Sequence, residues 1–253
     1  MKITIAAINL QSAVATTRGY YQYALTSWKY WLPHSNKPIE QVGKMLKEET
    51  VDIACLSEIS ETSLCTGFRS QTENLAKSAG MDHSYFFSQQ KIGKIFRHEG
   101  NAIISRYPIQ NFTSYPLHKE LIGVALDEAV IKVEGLPSDK GWTSISVFAA
   151  HLALIQKHRE IQVRQIIEIL KGRQSPMILA GDFNERNPTA LDILIQETSL
   201  EYKCALSTYP SWKPKYTLDY IFLSKEFSVI DCYIPKSPNF SDHTALVVKA
   251  ELH

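Results

Sequence analysis

Met177-Ile178-Leu179-Ala180-Gly181-Asp182-Phe183-Asn184 opens on four apolar residues and stops abruptly on a glycine and a carboxylate. A short apolar run closed by turn-forming residues reads as a buried strand. Asp182 and Asn184 suit the end of that strand better than its interior, and the ends of buried strands are where α/β folds present their chemistry. The pattern recurs: Ile53-Ala54-Cys55-Leu56 runs into Ser57-Glu58, and Ser146-Val147-Phe148-Ala149-Ala150 runs into His151. Strands are expected over residues 3–10, 53–56, 101–105, 128–133, 143–151, 177–181, 218–223 and 243–250. Helical spacing marks 39–47, 71–79 and 157–170, and Pro188 opens a further helix over 189–195, in a first turn where its missing N–H costs little. Together these make an α/β pattern with many strands.

The 253 residues, 44% apolar and 21% charged, belong to an ordinary globular chain. With no Ser/Gly linker, low-complexity tract or charge run, one domain over 1–253 is the simplest organisation. A net charge of +1 supplies no global positive field for nucleic acid, although a local basic groove would fit inside a neutral total. Cys55, Cys65, Cys204 and Cys232 form no C-x-x-C pair and read as buried, reduced thiols. Met1 to Asn9 reads as a first strand rather than a signal peptide, and no apolar run is long enough to span a bilayer. A cytoplasmic location is expected, and no protein partner is inferred.

Taken singly, the polar residues at strand ends have plain structural readings. Glu58 suits the neighbourhood of a helix cap, Asp182 and Asp242 suit turns, and His151 and His243 suit satisfied core histidines. Their joint order says more. Asn9 at the end of the first strand, Glu58, the run Gly100-Asn101-Ala102-Ile103-Ile104-Ser105, His151, Gly181-Asp182-Phe183-Asn184, Leu218-Asp219-Tyr220 and Ser241-Asp242-His243 follow one another along the whole chain. In this the sequence resembles the endonuclease/exonuclease/phosphatase superfamily. The segment Thr208-Tyr209-Pro210-Ser211-Trp212-Lys213-Pro214 resembles its bacterial metal-dependent hydrolase branch more than its abasic-site endonucleases.

That resemblance implies a four-layer α/β/β/α sandwich of two packed mixed β-sheets flanked by helices, with the site at one open end. It implies a Mg²⁺-dependent phosphoester hydrolase, Mn²⁺ substituting, because hydrolysis of a phosphoester anion calls for a cation, an oriented water and donors to the transition state. Asn9, Glu58 and Asp242 supply the hard oxygen ligands that Mg²⁺ prefers. By the same resemblance Asp182 orients or deprotonates the water and Asn184 donates its amide to the phosphate or nucleophile. His151 donates to a non-bridging oxygen, and Asp219 fixes the tautomer of His243. Asn101 is expected to support the substrate site from the second sheet, a plain strand-start asparagine being the alternative.

Many relatives carry an arginine near residues 127–131, where this chain reads Asp127-Glu128-Ala129-Val130-Ile131, so Glu128 would alter phosphate affinity if it pointed at the site. Tyr20, Tyr21, Tyr23, Trp28, Tyr30 and Trp31 form an aromatic insertion, expected to be a locally packed cluster; exposed, it would stack bases or enter a lipid interface. Lys91, Lys94, Arg97 and His98 are expected on a rim loop able to follow a phosphate backbone. The neutral charge and the aromatic insertion favour a small or lipid-derived phosphoester as substrate, with DNA or RNA as the alternative.

Overall fold

The computed structural model describes residues 1–93, 95–118, 124–133, 141–173, 176–236 and 240–253, apart from the side chains of 91 and 92. One six-stranded sheet holds β1 (Lys2–Asn9), β2 (Ile53–Ser60), β3 (His83–Ile92), β4 (Arg97–Ser105), β11 (Phe227–Tyr233) and β12 (Leu246–Leu252), in the order β11-β12-β1-β2-β4-β3. The other holds β5 (Ile109–Pro116), β6 (Ala125–Lys132), β7 (Ser144–His151), β8 (Met177–Asp182), β9 (Leu200–Ala205) and β10 (Asp219–Ser224), in the order β5-β6-β7-β8-β10-β9. Each sheet is mixed: β1 lies parallel to β2 and β7 parallel to β8, and the other pairings are antiparallel.

Because side chains alternate along a strand, each sheet buries two faces. Ile3, Ile5 and Ala7 of β1 meet Ile178 and Ala180 of β8 in a core between the sheets. Ala6 and Ile8 face the opposite way and pack under α2 (Lys37–Glu48) and α3 (Gln71–Ala79), against Val42, Leu46 and Leu75. Leu179 and Phe222 similarly lie beneath α4 (Gln156–Leu170), against Ile166 and Leu170, with Leu194 of α5 (Asp192–Glu197) in the same cluster. The result is the expected sandwich of two sheets between helices.

The eight expected strands are present with shifted ends: β2 runs on to Ser60, β4 starts at Arg97, β6 starts at Ala125, β10 starts at Asp219, and β12 starts at Leu246, leaving Ser241 to Ala245 as a loop. Four further strands, β3, β5, β9 and β11, had no counterpart in the sequence reading, and they are the four sheet edges. Edge strands face water along much of their length, as the mostly exposed β5 does, and so lack the apolar run by which interior strands are recognised.

The expectation of four reduced thiols requires correction. Cys55 and Cys65 are free and buried, but Cys204 on β9 and Cys232 on β11 form a disulfide. Their strands belong to different sheets, and only face-to-face packing of the sheets brings those two edges together, so no local spacing marks the pair.

The inward row of side chains changes character at one end of the sandwich. Continuing the 3, 5, 7 series on β1 gives Asn9; 178 and 180 on β8 give Asp182; 147 and 149 on β7 give His151; and 223 and 221 on β10 give Asp219. Register sets them side by side, His151 opposite Asp182 and Asp182 opposite Asp219. At Gly181 the strands approach so closely that an added Cβ would lie 2.0 Å from the Ala150 carbonyl oxygen, at a φ of 143°. Gly181→Ala should therefore cost about 2 kcal/mol or more, read as a lower urea midpoint at unchanged slope; an unchanged midpoint would show that the β7–β8 contact tolerates a methyl group.

Candidate active site

The polar end of the inter-sheet layer opens into a groove of about 1220 Å³. Asp182 is its hub. One carboxylate oxygen, Oδ2, accepts from Asn9 Nδ2 at 2.9 Å and lies 3.8 Å from His243 Nε2 and 4.0 Å from His151 Nε2. Its Oδ1 accepts the backbone N–H of Asn184 at 2.8 Å. Across the groove, Glu58 Oε1 accepts the same Asn9 amide at 3.0 Å and sits 3.7 Å from His151 Nε2. Asp219 accepts from His243 Nδ1 at 2.7 Å and also takes a hydrogen bond from the Thr208 hydroxyl. With Nδ1 facing a carboxylate, Nε2 of His243 points toward Asp182.

Two of these groups stand on strained backbone. Glu58 and Asn184 have φ near 50°, a region non-glycine residues avoid, and Glu58 lies where the pairing of β2 with β4 slips between Leu56 and Ile59. The slip aims the carboxylate out of the strand's alternation and into the groove.

The electrostatics follow from burying several carboxylates together. Burial is the main cause that lifts the Glu58 carboxyl to about 7; Glu99 and Asp242 add to the rise, and His151 opposes it. Burial likewise raises Asp182, helped by Asp219 and opposed by His243. For His243 burial works against the charged form, but Asp219, Asp182 and Asp242 outweigh it and hold the imidazole as a cation up to about 10.

Such a site fits a divalent cation. Glu58, His151 and Asp182 each bring one ligand atom within 4.8 Å of the others, and Asp182, Asp219 and His243 form a second such group. A Glu58 carboxyl poised near neutrality amid other carboxylates is a site that a cation would relieve, and oxygen-rich ligands with one imidazole suit a hard or borderline ion.

Asn9, Glu58, His151, Asp182, Asn184, Asp219, Asp242 and His243 thus converge, though not all in the orientations anticipated. Asn9 turns its amide nitrogen to the two carboxylates, while its oxygen accepts the Gln11 N–H at 2.9 Å. Asn184 donates its side-chain amide to the Leu152 carbonyl at 2.9 Å. Asp242 lines the groove with Oδ2 held by the Tyr23 hydroxyl at 2.6 Å and Oδ1 by Ser241. Asn101 lies on the sheet of Asn9 and Glu58, fully buried behind Gly100, and donates to Asp127 Oδ2 of the opposite sheet at 3.0 Å.

Glu128 falls one position out of phase with Asp127 and so faces the helix layer, where it pairs with Arg173 at 2.9 Å. Arg97 and His98 belong to β4 rather than a loop; Lys94 and the Lys91 side chain lie outside the described residues. Arg97 is committed to Glu99, whose Oε2 also accepts the Ser12 hydroxyl at 2.6 Å. Tyr23 and Tyr30 of the aromatic insertion line the groove, and so do Arg159, Arg186 and Tyr209, which were not anticipated as site residues. They come from loops and helices remote in sequence and share no spacing with the strand-end residues. The expectation of a locally packed aromatic cluster needs correction for part of the set: on α1 (Tyr21–Thr26), the 3-10 turn Ser27–Tyr30 and their flanks, Tyr20, Tyr21, Trp28 and Trp31 stand exposed, while Tyr23 and Tyr30 are half-buried along the groove.

The family model described as Endonuclease/Exonuclease/phosphatase family matches residues 8–243, from the strand that carries Asn9 to the loop that carries His243. The chain belongs to the endonuclease/exonuclease/phosphatase family. Members of this family are hydrolases that act on phosphoesters and use divalent metals. A curated relative, the uncharacterized protein YbhP of Escherichia coli (strain K12), is 27% identical over 166 residues, which span 62% of this chain and 63% of YbhP, less than two thirds of its length. The solved endonuclease/exonuclease/phosphatase of Beutenbergia cavernae DSM 12333 superposes with a TM-score of 0.74 at 19% identity, over 99% of this chain and 72% of that one. The mannosyl-6-phosphatase of Bacteroides thetaiotaomicron VPI-5482 does so with 0.67 at 17%, over 99% and 100%. At these identities the two structures show a shared fold. No helix among the described residues is long and apolar enough to cross a membrane.

Two outcomes are expected from the site's charges. The folded-state value of His243 lies above the ordinary imidazole value near 6.5, so the stability its ion pair gives is complete below that pH and drains away as pH climbs to about 10. In EDTA, the melting-temperature gap between the wild-type protein and His243→Gln should be widest at acid pH and close toward pH 10; a gap that widens with pH would refute the assigned cation. Glu58→Gln should weaken Mg²⁺ binding, measured by calorimetry, while leaving the metal-free melting temperature nearly unchanged. An unaltered metal titration would remove Glu58 from the ion's ligands.

Proposed function

We propose that the chain is a Mg²⁺-dependent phosphodiesterase acting on a small or lipid-derived phosphoester, with residues 1–253 as one catalytic unit. The observation that carries this reading is the row Asp219–His243–Asp182 facing Glu58 and His151 across the groove. Glu58 and Asp242 would hold the ion, which would supply charge neutralisation at the phosphate oxygens. Asp182, buried and with its carboxyl raised, takes the proton of the attacking water and aligns that water on phosphorus. Asn9 holds Asp182 and Glu58 at fixed separation, and the Asn184 backbone fixes the other carboxylate oxygen. His243, kept cationic by Asp219, faces the phosphoryl oxygens as negative charge grows, and His151 donates from the opposite wall.

Among the described residues, no specific contact favours the nuclease alternative. Arg97, at the rim, is tied to Glu99 instead of standing free for a phosphate backbone, and the whole-chain charge is +1.

Hydrolysis of bis-p-nitrophenyl phosphate should require Mg²⁺ and stop in EDTA. In the same assay His243→Ala should cost about 10³ or more in turnover, Asp219→Asn nearly as much, and the double variant little more. Additive losses would uncouple the two residues, and activity that persists in EDTA would overturn the metal-dependent reading.

A further inference from the structure

The groove mouth is ringed by apolar side chains turned to water. On one side stand Tyr20, Tyr21 (62% exposed), Leu25, Trp28 (47%), Trp31 and Leu32. Opposite them, Leu154 is 83% exposed and Ile155 about half. Ile95 and Phe96 extend the ring at the tip of the β3–β4 hairpin, and Phe68 extends it on the loop before α3. These segments form one surface. Tyr20 meets Trp212 edge to face at 5.3 Å, the His34 N–H reaches the Cys65 carbonyl, the Leu64 N–H reaches Ile95, and Arg97 lies 5.0 Å over the Tyr30 ring. Tyr23, Tyr30, Leu154 and Ile155 line the same groove as Asp182.

Its charge is one-sided. Residues 1–39 contain no aspartate or glutamate, nor do 62–69, 91–98, 152–159 and 206–218. Four of these five stretches carry exposed cations among the described residues: Arg18 and Lys37 by the aromatic insertion, Arg69 beside Phe68, Lys157 beside Ile155, and Lys213 and Lys215 beside Trp212.

We propose that this rim docks on an anionic lipid bilayer and that the groove there receives a lipid-borne phosphoester. Trp and Tyr settle at the headgroup level, Leu and Ile enter the acyl boundary, and Lys and Arg pair with anionic headgroups, whereas a carboxylate in the rim would be repelled. Aliphatic side chains offer no face for stacking on bases, and lysine is depleted at protein–protein interfaces, so neither a nucleic acid nor a protein matches the whole set. The Tyr23 hydroxyl, bound to Asp242 at 2.6 Å, ties the docking segment to the reacting groups, so a docked chain opens its groove onto the lipid surface. Docking stands apart from the hydrolase reading; delivery of a lipid phosphoester rests on it.

Sedimentation of the full chain in EDTA with vesicles, either phosphatidylcholine alone or mixed with phosphatidylglycerol, tests docking without catalysis. The wild-type protein should partition onto the mixed vesicles. Trp28→Ser with Trp31→Ser should cut that partition roughly tenfold or more. Arg18→Glu with Lys213→Glu should cut it by roughly fivefold or more, on anionic vesicles only. Both pairs should keep the wild-type melting temperature and the turnover of soluble bis-p-nitrophenyl phosphate, while losing turnover of a phosphodiester embedded in mixed vesicles. Absence of wild-type binding to either vesicle, binding that survives both pairs of substitutions, or retention of a single-stranded oligonucleotide in place of vesicles would overturn the proposal. Loss of all diester turnover with vesicle binding intact would strike the hydrolase reading and leave docking in place.

Discussion

The amide of Asn9 spans the gap between the two sheets, donating to Glu58 on its own sheet and to Asp182 on the other. Everything reactive hangs on that bridge. Two buried carboxylates near one another repel, and neither would stay in place without donors to hold it. One side-chain nitrogen serves both, and its carbonyl oxygen is in turn fixed by the Gln11 backbone. The two carboxylates are held at a fixed separation, and burial beside Glu99 and Asp242 keeps the Glu58 carboxyl raised.

The layer is polar at one end only because the rest of it is apolar. Ile3, Ile5 and Ala7 against Ile178 and Ala180 form a rigid, water-free base, and the next position on each strand carries a polar group instead. Groups mounted on strand ends move little, so the Asp219–His243 pair and the Asp182 carboxylate are preorganised by the same packing that stabilises the fold. The strained backbone at Glu58 and Asn184 is tolerated at the mouth of this layer, where the surrounding strands over-determine it.

The groove's outer wall follows a different rule. The aromatic insertion, the β3–β4 hairpin tip and the loop after β7 pack little against the sandwich, leaving apolar and cationic side chains in water around the mouth. A surface that exposes Trp, Tyr and Leu together bears an energetic cost, which is offset only when something covers it. Stability of the sandwich does not need that surface; the proposed docking on a lipid bilayer does.

Much of this was legible in the sequence because burial leaves a local signature. Interior strands such as β8 and β7 are apolar runs that stop on Asp182 and His151, and the order of strand-end residues from Asn9 to His243 pointed to the family and to the polar residues that converge at the end of the inter-sheet layer. Edge strands left no such mark, since water on one side removes the apolar run, and so β3, β5, β9 and β11 emerged only in the folded chain. Pairings made across the sheets were equally invisible: the Cys204–Cys232 disulfide, Asn101 on Asp127, and Tyr23 on Asp242 join residues whose proximity is set by sheet packing and loop course, not by spacing. The sequence by itself determined which groups stand at the strand ends, because a period of two fixes the face on which each side chain emerges. Only the tertiary structure decided which atoms those groups present to one another, and that the aromatic insertion stands in water, because both depend on how two sheets and their loops close on each other in space.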